Sequence, residues 1–259
     1  MLFINTRPID RAQALTQCLS TAGFEVVNLP LLELTACPYS SELELLYSQL
    51  IDTQVIVVVS PTAVEIGMQY LEKAGLSLEQ IRHIHWVAVG RKTAQVLNQY
   101  GIDSDIPEVE TSEGMLSLPI FNTFTGLKKI AFWRGEGGRQ FMMQQCQARQ
   151  IQVLNFVLYE RHCPEQTPQL LFDFLDQVDQ PKPYWNCISS EASWRNWLAL
   201  TQTHTSIVND CHYLVLGERL YQLLQHDKNV TQKCFNITQV QDLEPNTILQ
   251  SIMQLQRKL

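Results

Sequence analysis

The sequence predicts an α/β protein made of two parallel-sheet domains. Three observations carry this. Short apolar runs alternate with helical-period segments along the chain. Its 259 residues suffice for two domains of roughly 110–150 residues, each burying its own core. Residue types also recur at a nearly constant offset of 127 to 129 residues. Arg7, Arg11 and Glu33 answer to Arg134, Arg139 and Glu160, Ser60 and Ala63 to Ser189 and Ala192, and Gly90 and Leu97 to Gly217 and Leu224. Such a period marks two related halves.

Taken in order, LFINT at 2–6 reads as a strand closed by Thr6-Arg7-Pro8, with Pro8 suited to the first turn of a helix over 9–22. FEVVNL at 24–29 is a second strand, and QVIVVV at 54–59 a third that runs through Ser60-Pro61-Thr62 into a helix over 62–74. HWVAVG at 85–90 turns at Gly90 into a helix over 91–100, and Ser112-Glu113-Gly114 opens another over 112–119. KIAFW at 129–133 ends in a glycine-rich turn before a helix over 138–149. IQVLNFVL at 151–158, YWNCIS at 184–189, CHYLVL at 211–216 and CFNIT at 234–238 complete the strands. The remaining helices fall at 190–202, 217–226 and 245–257. Near-continuous apolar strands, each followed by a helix, indicate parallel sheets covered on both faces. Functional junctions then lie at the carboxyl ends of the strands.

Residues 24–35 and 151–161 hold equivalent places in the two repeats and exceed the usual strand length. Each reads as a strand running on into a connector, the two able to pair, with Pro30 tolerated at an exposed edge. A strand followed by a loop is the alternative. No Gly/Ser-rich linker separates the halves, which favours a stiff two-segment hinge.

The chain is 45% apolar and 17% charged, ordinary for a soluble globular protein. Its net charge is −7, from 19 Lys and Arg against 26 Asp and Glu. Nucleic-acid binding through the backbone calls for the opposite balance. A bound anion must therefore be held by local arginines and backbone amides. The seven cysteines include no C-x-x-C pair, which fits buried thiols in a reducing cytoplasm. His83 and His85 stand two apart with no Cys or carboxylate pair near them in the sequence, which argues against a metal site. The opening MLFINTRPIDR has no basic region followed by a long apolar stretch. No run approaches the ~20 apolar residues of a membrane span.

The sharpest local motif is Arg134-Gly135-Glu136-Gly137-Gly138-Arg139, at a strand-to-helix junction. Glycines let the backbone approach a ligand, a helix N-terminus offers free amides, and flanking arginines recognise carboxylates. It is neither a dinucleotide fingerprint nor a P-loop, because Gln140 replaces the third glycine and no G-K-[ST] ending follows. Thr6-Arg7, Ser60-Pro61, Gly90 with Thr93, Ser112, Ser189-Ser190 and Gly217 with Arg219 occupy comparable junctions. Each Ser or Thr serves equally as a simple helix cap. Seven junctions on one edge suggest a rim lined with donors for a polyanion. No nucleophile–base pair is visible. Tyr159, on a presumed connector, is the residue best suited to give a proton, and a half-buried strand tyrosine is the alternative.

The chain resembles bacterial uroporphyrinogen-III synthases. The residues that carry this are Thr6-Arg7-Pro8, Val59-Ser60-Pro61 with Ala63-Val64, Ala88-Val89-Gly90 with Thr93-Ala94, Ser112-Glu113-Gly114, residues 134–139, Tyr159-Glu160-Arg161 with Pro164, Ser189, Trp197 and Leu216-Gly217-Glu218-Arg219. The resemblance implies two α/β domains with exchanged segments, one of residues 1–34 plus 163–259 and one of 37–155. Connectors at about 30–36 and 156–162 would form a two-stranded β link, with the active site in the cleft between the domains. The implied enzyme is a cytoplasmic, cofactor-free hydro-lyase that cyclises hydroxymethylbilane, a linear tetrapyrrole with eight carboxylates, to uroporphyrinogen III. The implied catalytic residue is Tyr159, and the implied substrate-binding residues are Thr6, Arg7, Ser60, Pro61, Gly90, Thr93, Ser112, Arg134, Gly137, Gly138, Arg139, Ser189, Ser190, Gly217 and Arg219. It also allows a transient contact with the preceding enzyme of the pathway, with no nucleic acid or membrane partner. A non-catalytic two-lobed sensor of a small polyanion is the competing function.

Overall fold

Parallel strands bury both faces, so their residues are apolar without alternation. In the computed structural model, which describes residues 1–123, 126–137, 139–178 and 182–257, such strands form two five-stranded sheets. The chain divides into two compact units, Met1–Glu33 with Arg161–Leu259, and Leu34–Glu160.

In chain order the first segment gives β1 (Leu2–Asn5), α1 (Ile9–Thr21) and β2 (Glu25–Asn28). The chain then passes into the second unit through β3 (Glu33–Ala36), followed by α2 (Ser41–Ser48), β4 (Val55–Val58), α3 (Pro61–Lys73), β5 (His85–Ala88) and α4 (Arg91–Gln99). It continues with α5 (Ser112–Leu116), α6 (Pro119–Thr123), β6 (Lys129–Gly135), α7 (Phe141–Ala148) and β7 (Gln152–His162). The chain returns to the first unit with α8 (Thr167–Gln177), β8 (Tyr184–Ile188), α9 (Glu191–Leu200) and α10 (Thr205–Asn209). β9 (Cys211–Leu216), α11 (Gly217–Thr231), β10 (Asn236–Val240) and α12 (Pro245–Gln256) complete it.

The first sheet has the order β10-β9-β8-β1-β2, all parallel. The second has β3-β7-β6-β4-β5, with β7, β6, β4 and β5 parallel. Each sheet is covered on both faces. In β4, Ile56 and Val58 join one core cluster, while Val55 and Val57 join another. In β1, Leu2 and Ile4 pack on one side and Phe3 on the other.

The sheets repeat each other in register. Leu2 pairs with Glu25 as Lys129 pairs with Gln152, so β1–β2 and β6–β7 match at an offset of 127. Phe3 pairs with Trp185 as Ile130 pairs with Val55, which sets β4 against β8 at an offset of 130. Ser60 therefore answers to Ser190, not to Ser189, one residue beyond the sequence expectation.

Residues 24–35 do not form one long strand. The ladder of β2 with β1 stops at Asn28, just before Pro30, which has no N–H to give, and β3 from Glu33 belongs to the other sheet. Leu29 and Leu31 still donate to the Asn5 and Thr6 carbonyls, and the Thr167 hydroxyl donates to the Pro30 carbonyl at 2.7 Å. Residues 152–162, with no proline, stay one eleven-residue strand. The helix expected over 112–119 is two short helices, α5 and α6, and the one expected from 138 starts only at Phe141. α2, α8 and α10 have no counterpart among the helices that the sequence pattern predicts. No helix among the described residues is long and apolar enough to cross a membrane.

Candidate active site

In the second unit, β4 ends at Val58 and α3 begins at Pro61. Proline is favoured there because the first helical turn needs no N–H. Ser60 is the N-cap, extended at φ −164°, and its Oγ accepts the Ala63 N–H at 3.1 Å. The same oxygen lies 2.9 Å from the Tyr159 hydroxyl. Tyr159 comes from the extended part of β7 and is buried at 1% exposure within the core cluster of its unit, not half-buried. β6 meets β7 with a register shift at Arg134 and Gly135, which places Gly135 opposite Tyr159. The tyrosine ring lies directly over Gly135 and leaves no room for a Cβ there. The Glu136 N–H donates to the Tyr159 carbonyl at 2.6 Å. Ring, hydroxyl and backbone of Tyr159 are thus each fixed.

Two further junctions in this unit are held by acidic side chains of the chain itself. Gly90 is the N-cap of α4, and the Glu110 carboxylate lies directly over it, where a Cβ would displace the glutamate side chain. Glu110 accepts the Arg91 N–H at 2.9 Å. A helix N-terminus holds a carboxylate in this way through free amides and positive potential. Thr93, in the first turn of α4, is buried at 2% exposure. The exposed Arg139 donates to Glu113 at 3.2 Å. Thr111, not Ser112, caps α5 by accepting the Gly114 N–H at 3.1 Å.

The glycine-rich motif departs from its expected role in one respect. Arg134 is buried at 7% exposure, donating from Nε to the Gly135 carbonyl at 3.2 Å and from Nη1 to Met143 Sδ at 3.8 Å. It does not stand beside Arg139 as a second surface arginine. Its position in the last ladder pairs of β6 draws it inward. Gly137 adopts φ +70°, a left-handed conformation open to glycine at no steric cost. Gly138 lies outside the described residues.

The first unit presents a parallel set. The Thr6 hydroxyl donates to the Cys187 carbonyl and is buried, which ties the end of β1 to β8. Arg7 donates from Nη1 to the Leu243 carbonyl at 3.0 Å. Ser190 caps α9, accepting the Ser193 N–H at 3.1 Å, while the partly buried Ser189 precedes it without a capping role. Gly217 opens α11 at φ +74°. The exposed Arg219 reaches Glu191 at 3.5 Å.

Burial pushes the Cys187 and Cys211 thiols up to about 12, which leaves them protonated and unreactive. Among the described residues no three His, Cys, Asp or Glu side chains gather into a metal site. The arrangement offers capped helix starts, backbone amides and one buried phenol held by a serine. Sequence reasoning placed Gly135 in the glycine-rich motif as a turn glycine but missed its packing under the Tyr159 ring. It also missed Glu110, which no local motif marks.

Residues 13–234 match the sequence profile of uroporphyrinogen-III synthase HemD. Uroporphyrinogen-III synthase of Synechococcus elongatus is 31% identical over 169 residues, 64% of this chain and 62% of that protein's length. The fold is similar to a crystal structure of mutant uroporphyrinogen III synthase from the extremely thermophilic bacterium Thermus thermophilus, with a TM-score of 0.66 and 14% identity over the whole of both chains. It is also similar to uroporphyrinogen-III synthetase from Helicobacter pylori, with a TM-score of 0.60 and 13% identity over 98% of this chain and 100% of that one. These two likenesses concern the fold alone; the profile match covers most of the sequence, and the chain belongs to the uroporphyrinogen-III synthase family.

Proposed function

We propose that this chain is a cytoplasmic hydro-lyase that closes hydroxymethylbilane into uroporphyrinogen III, with inversion of ring D and loss of one water. Family membership over residues 13–234 is the observation that carries this reading. The site chemistry is consistent with it. A flexible octacarboxylate needs many amide and hydroxyl donors, and the carboxyl ends of the parallel strands supply helix starts at Ser60, Gly90 and Ser190. Net charge of −7 rules out a general pool of positive potential, so recognition rests on these local donors and on exposed Arg139 and Arg219.

In the proposed reaction Tyr159 gives its proton to the departing hydroxyl, which leaves as water while electrons from the pyrrole nitrogen form an azafulvene-type cation. The substituted carbon of ring D attacks this cation to give a spiro intermediate. The spiro centre then opens by breaking the bond from that ring D carbon to its original bridging methylene. The azafulvene-type cation so formed on ring C is attacked by the unsubstituted α-carbon of ring D. Loss of the proton from that carbon restores aromaticity and balances the one the phenol supplied. The leaving group is intrinsically reactive, so most of the task is positioning. Hydroxymethylbilane also closes spontaneously to the type I isomer, which favours a transient handover from the preceding enzyme.

The test is turnover of hydroxymethylbilane, with product isomers separated and counted. Type III product well above the uncatalysed rate is expected. Type I alone, at the spontaneous rate, would instead fit a non-catalytic sensor of polyanions.

A further inference from the structure

Three contacts converge on Tyr159: the Ser60 hydroxyl at the carboxyl end of β4, the Gly135 backbone under its ring, and the Glu136 N–H on its carbonyl. We infer that Ser60 and Gly135 are positioning residues that fix the Tyr159 phenol at the carboxyl end of β4. The inference rests on the enzyme reading above and adds residues that act through the tyrosine.

The argument is geometric. Ser60 Oγ already accepts the Ala63 N–H, so the cap holds the oxygen in place. That oxygen keeps its own hydrogen and one more lone pair. When Ser60 donates across the 2.9 Å contact, the phenol's proton is directed to another acceptor, and the phenolate left behind keeps a hydrogen-bond donor. Gly135 acts on the ring. Its backbone is not in the left-handed region, so nothing in its own conformation requires glycine; the ring of Tyr159 over its Cα does. Any side chain at 135 displaces the ring and with it the hydroxyl.

The repeat gives an internal control. At the equivalent places of the first unit stand Ser190, Pro8 and Leu32. The capping serine is retained there, since every such helix start needs a cap, but both the phenol and the glycine platform are missing. A glycine required for the fold alone should recur in both units.

The experiment is a double-mutant cycle on hydroxymethylbilane turnover, with kcat, KM and thermal unfolding read for each variant. Ser60→Ala and Ser60→Gly should each lower kcat about tenfold with KM within about twofold, and Ser60→Thr should restore it. Glycine caps a helix nearly as well as serine and alanine does not. A pure capping role would therefore spare Ser60→Gly, whereas positioning predicts equal loss in both. In the Tyr159→Phe background, Ser60→Ala and Gly135→Ala should cost almost nothing further. Additive losses in that background, or wild-type kcat for Ser60→Gly, would overturn the inference while leaving the enzyme reading intact. A wild-type protein that makes no type III product would overturn both. If Gly135→Ala fails to fold, the serine arms still decide.

Discussion

The two units follow one plan and differ in where they put their bulk and their polar groups. Strand order, parallel direction and register coincide, β9-β8-β1-β2 matching β5-β4-β6-β7. Even the outermost position is matched, although β10 is a five-residue strand and its counterpart is a single bridge between Val87 and Asp105. Large and small residues, however, are exchanged. Trp133 on β6 answers to Thr6, and Gly67 on α3 answers to Trp197 on α9. In the second unit the indole comes from the strand and lies over Gly67, leaving no room for a Cβ. In the first it comes from the helix, with Trp197 donating to the Tyr213 hydroxyl at 2.7 Å. A duplicated fold thus fixes backbone positions and leaves each core free to fill its volume in its own way.

The largest test of this comparison removes the indoles. Trp133→Ala and Trp197→Ala should each destabilise by about 3–5 kcal/mol in denaturant unfolding, because both are fully buried. Gly67→Ala should cost about 1–3 kcal/mol by overpacking against Trp133, and almost nothing once Trp133 is already alanine. Equal costs of Gly67→Ala in both backgrounds would show that the ring does not set the constraint. The exchange of sizes would then be incidental.

Smaller effects are expected at the exposed arginines, where the units agree. Arg139 meets Glu113 in one unit and Arg219 meets Glu191 in the other, each in a surface ion pair. Exposed pairs contribute little to stability, so their interest lies in binding. Arg139→Ala and Arg219→Ala should each weaken affinity for a uroporphyrinogen-type product by about 1–3 kcal/mol, as for a charged hydrogen bond, with unfolding unchanged. Isothermal titration with both variants checks this. Complete loss in one and none in the other would replace distributed recognition with a single anchor.

What could be read beforehand follows from what each feature depends on. Apolar runs such as Val55–Val58 and Cys211–Leu216 were legible because burial on both faces imposes composition directly. The repeat was legible at Gly90 and Gly217, but its offset at the serine slipped by one, since Ser189 and Ser190 are chemically identical and only register distinguishes them. α8 carries a start signal in Thr167-Pro168, with proline in its first turn, but no strand leads directly into it as one leads into the helices that were legible. Arg134 looked like a surface arginine because sequence shows a charge and not the direction of its side chain. The bond between Ser60 and Tyr159 spans 99 residues. It depends on β7 running on past the position where Pro30 stops its counterpart.

The smallest expected effect concerns a histidine found in both sheets. His85 and His212 occupy equivalent register positions next to β4 and β8. His85 lies 2.7 Å from the Asp105 carboxylate and is partly exposed. His212 lies 2.8 Å from the Thr238 hydroxyl, is buried, and stacks on Trp185 at 4.6 Å between centroids. Burial without a carboxylate lowers its value from 6.5 to about 4. Above pH 6.5 the ring is neutral in folded and unfolded chains alike, and no penalty arises. Between pH 6.5 and 4 the unfolded chain takes up a proton that the folded one refuses, so stability falls as pH falls. Below about 4 both are protonated and the loss is complete. We expect this to amount to about 1–2 kcal/mol, allowing for relaxation around the charged ring. His212→Gln should flatten the stability profile over that window relative to wild type, with His85→Gln as the matched control. A profile unchanged by His212→Gln would mean that the buried ring accepts its proton as readily as the free one.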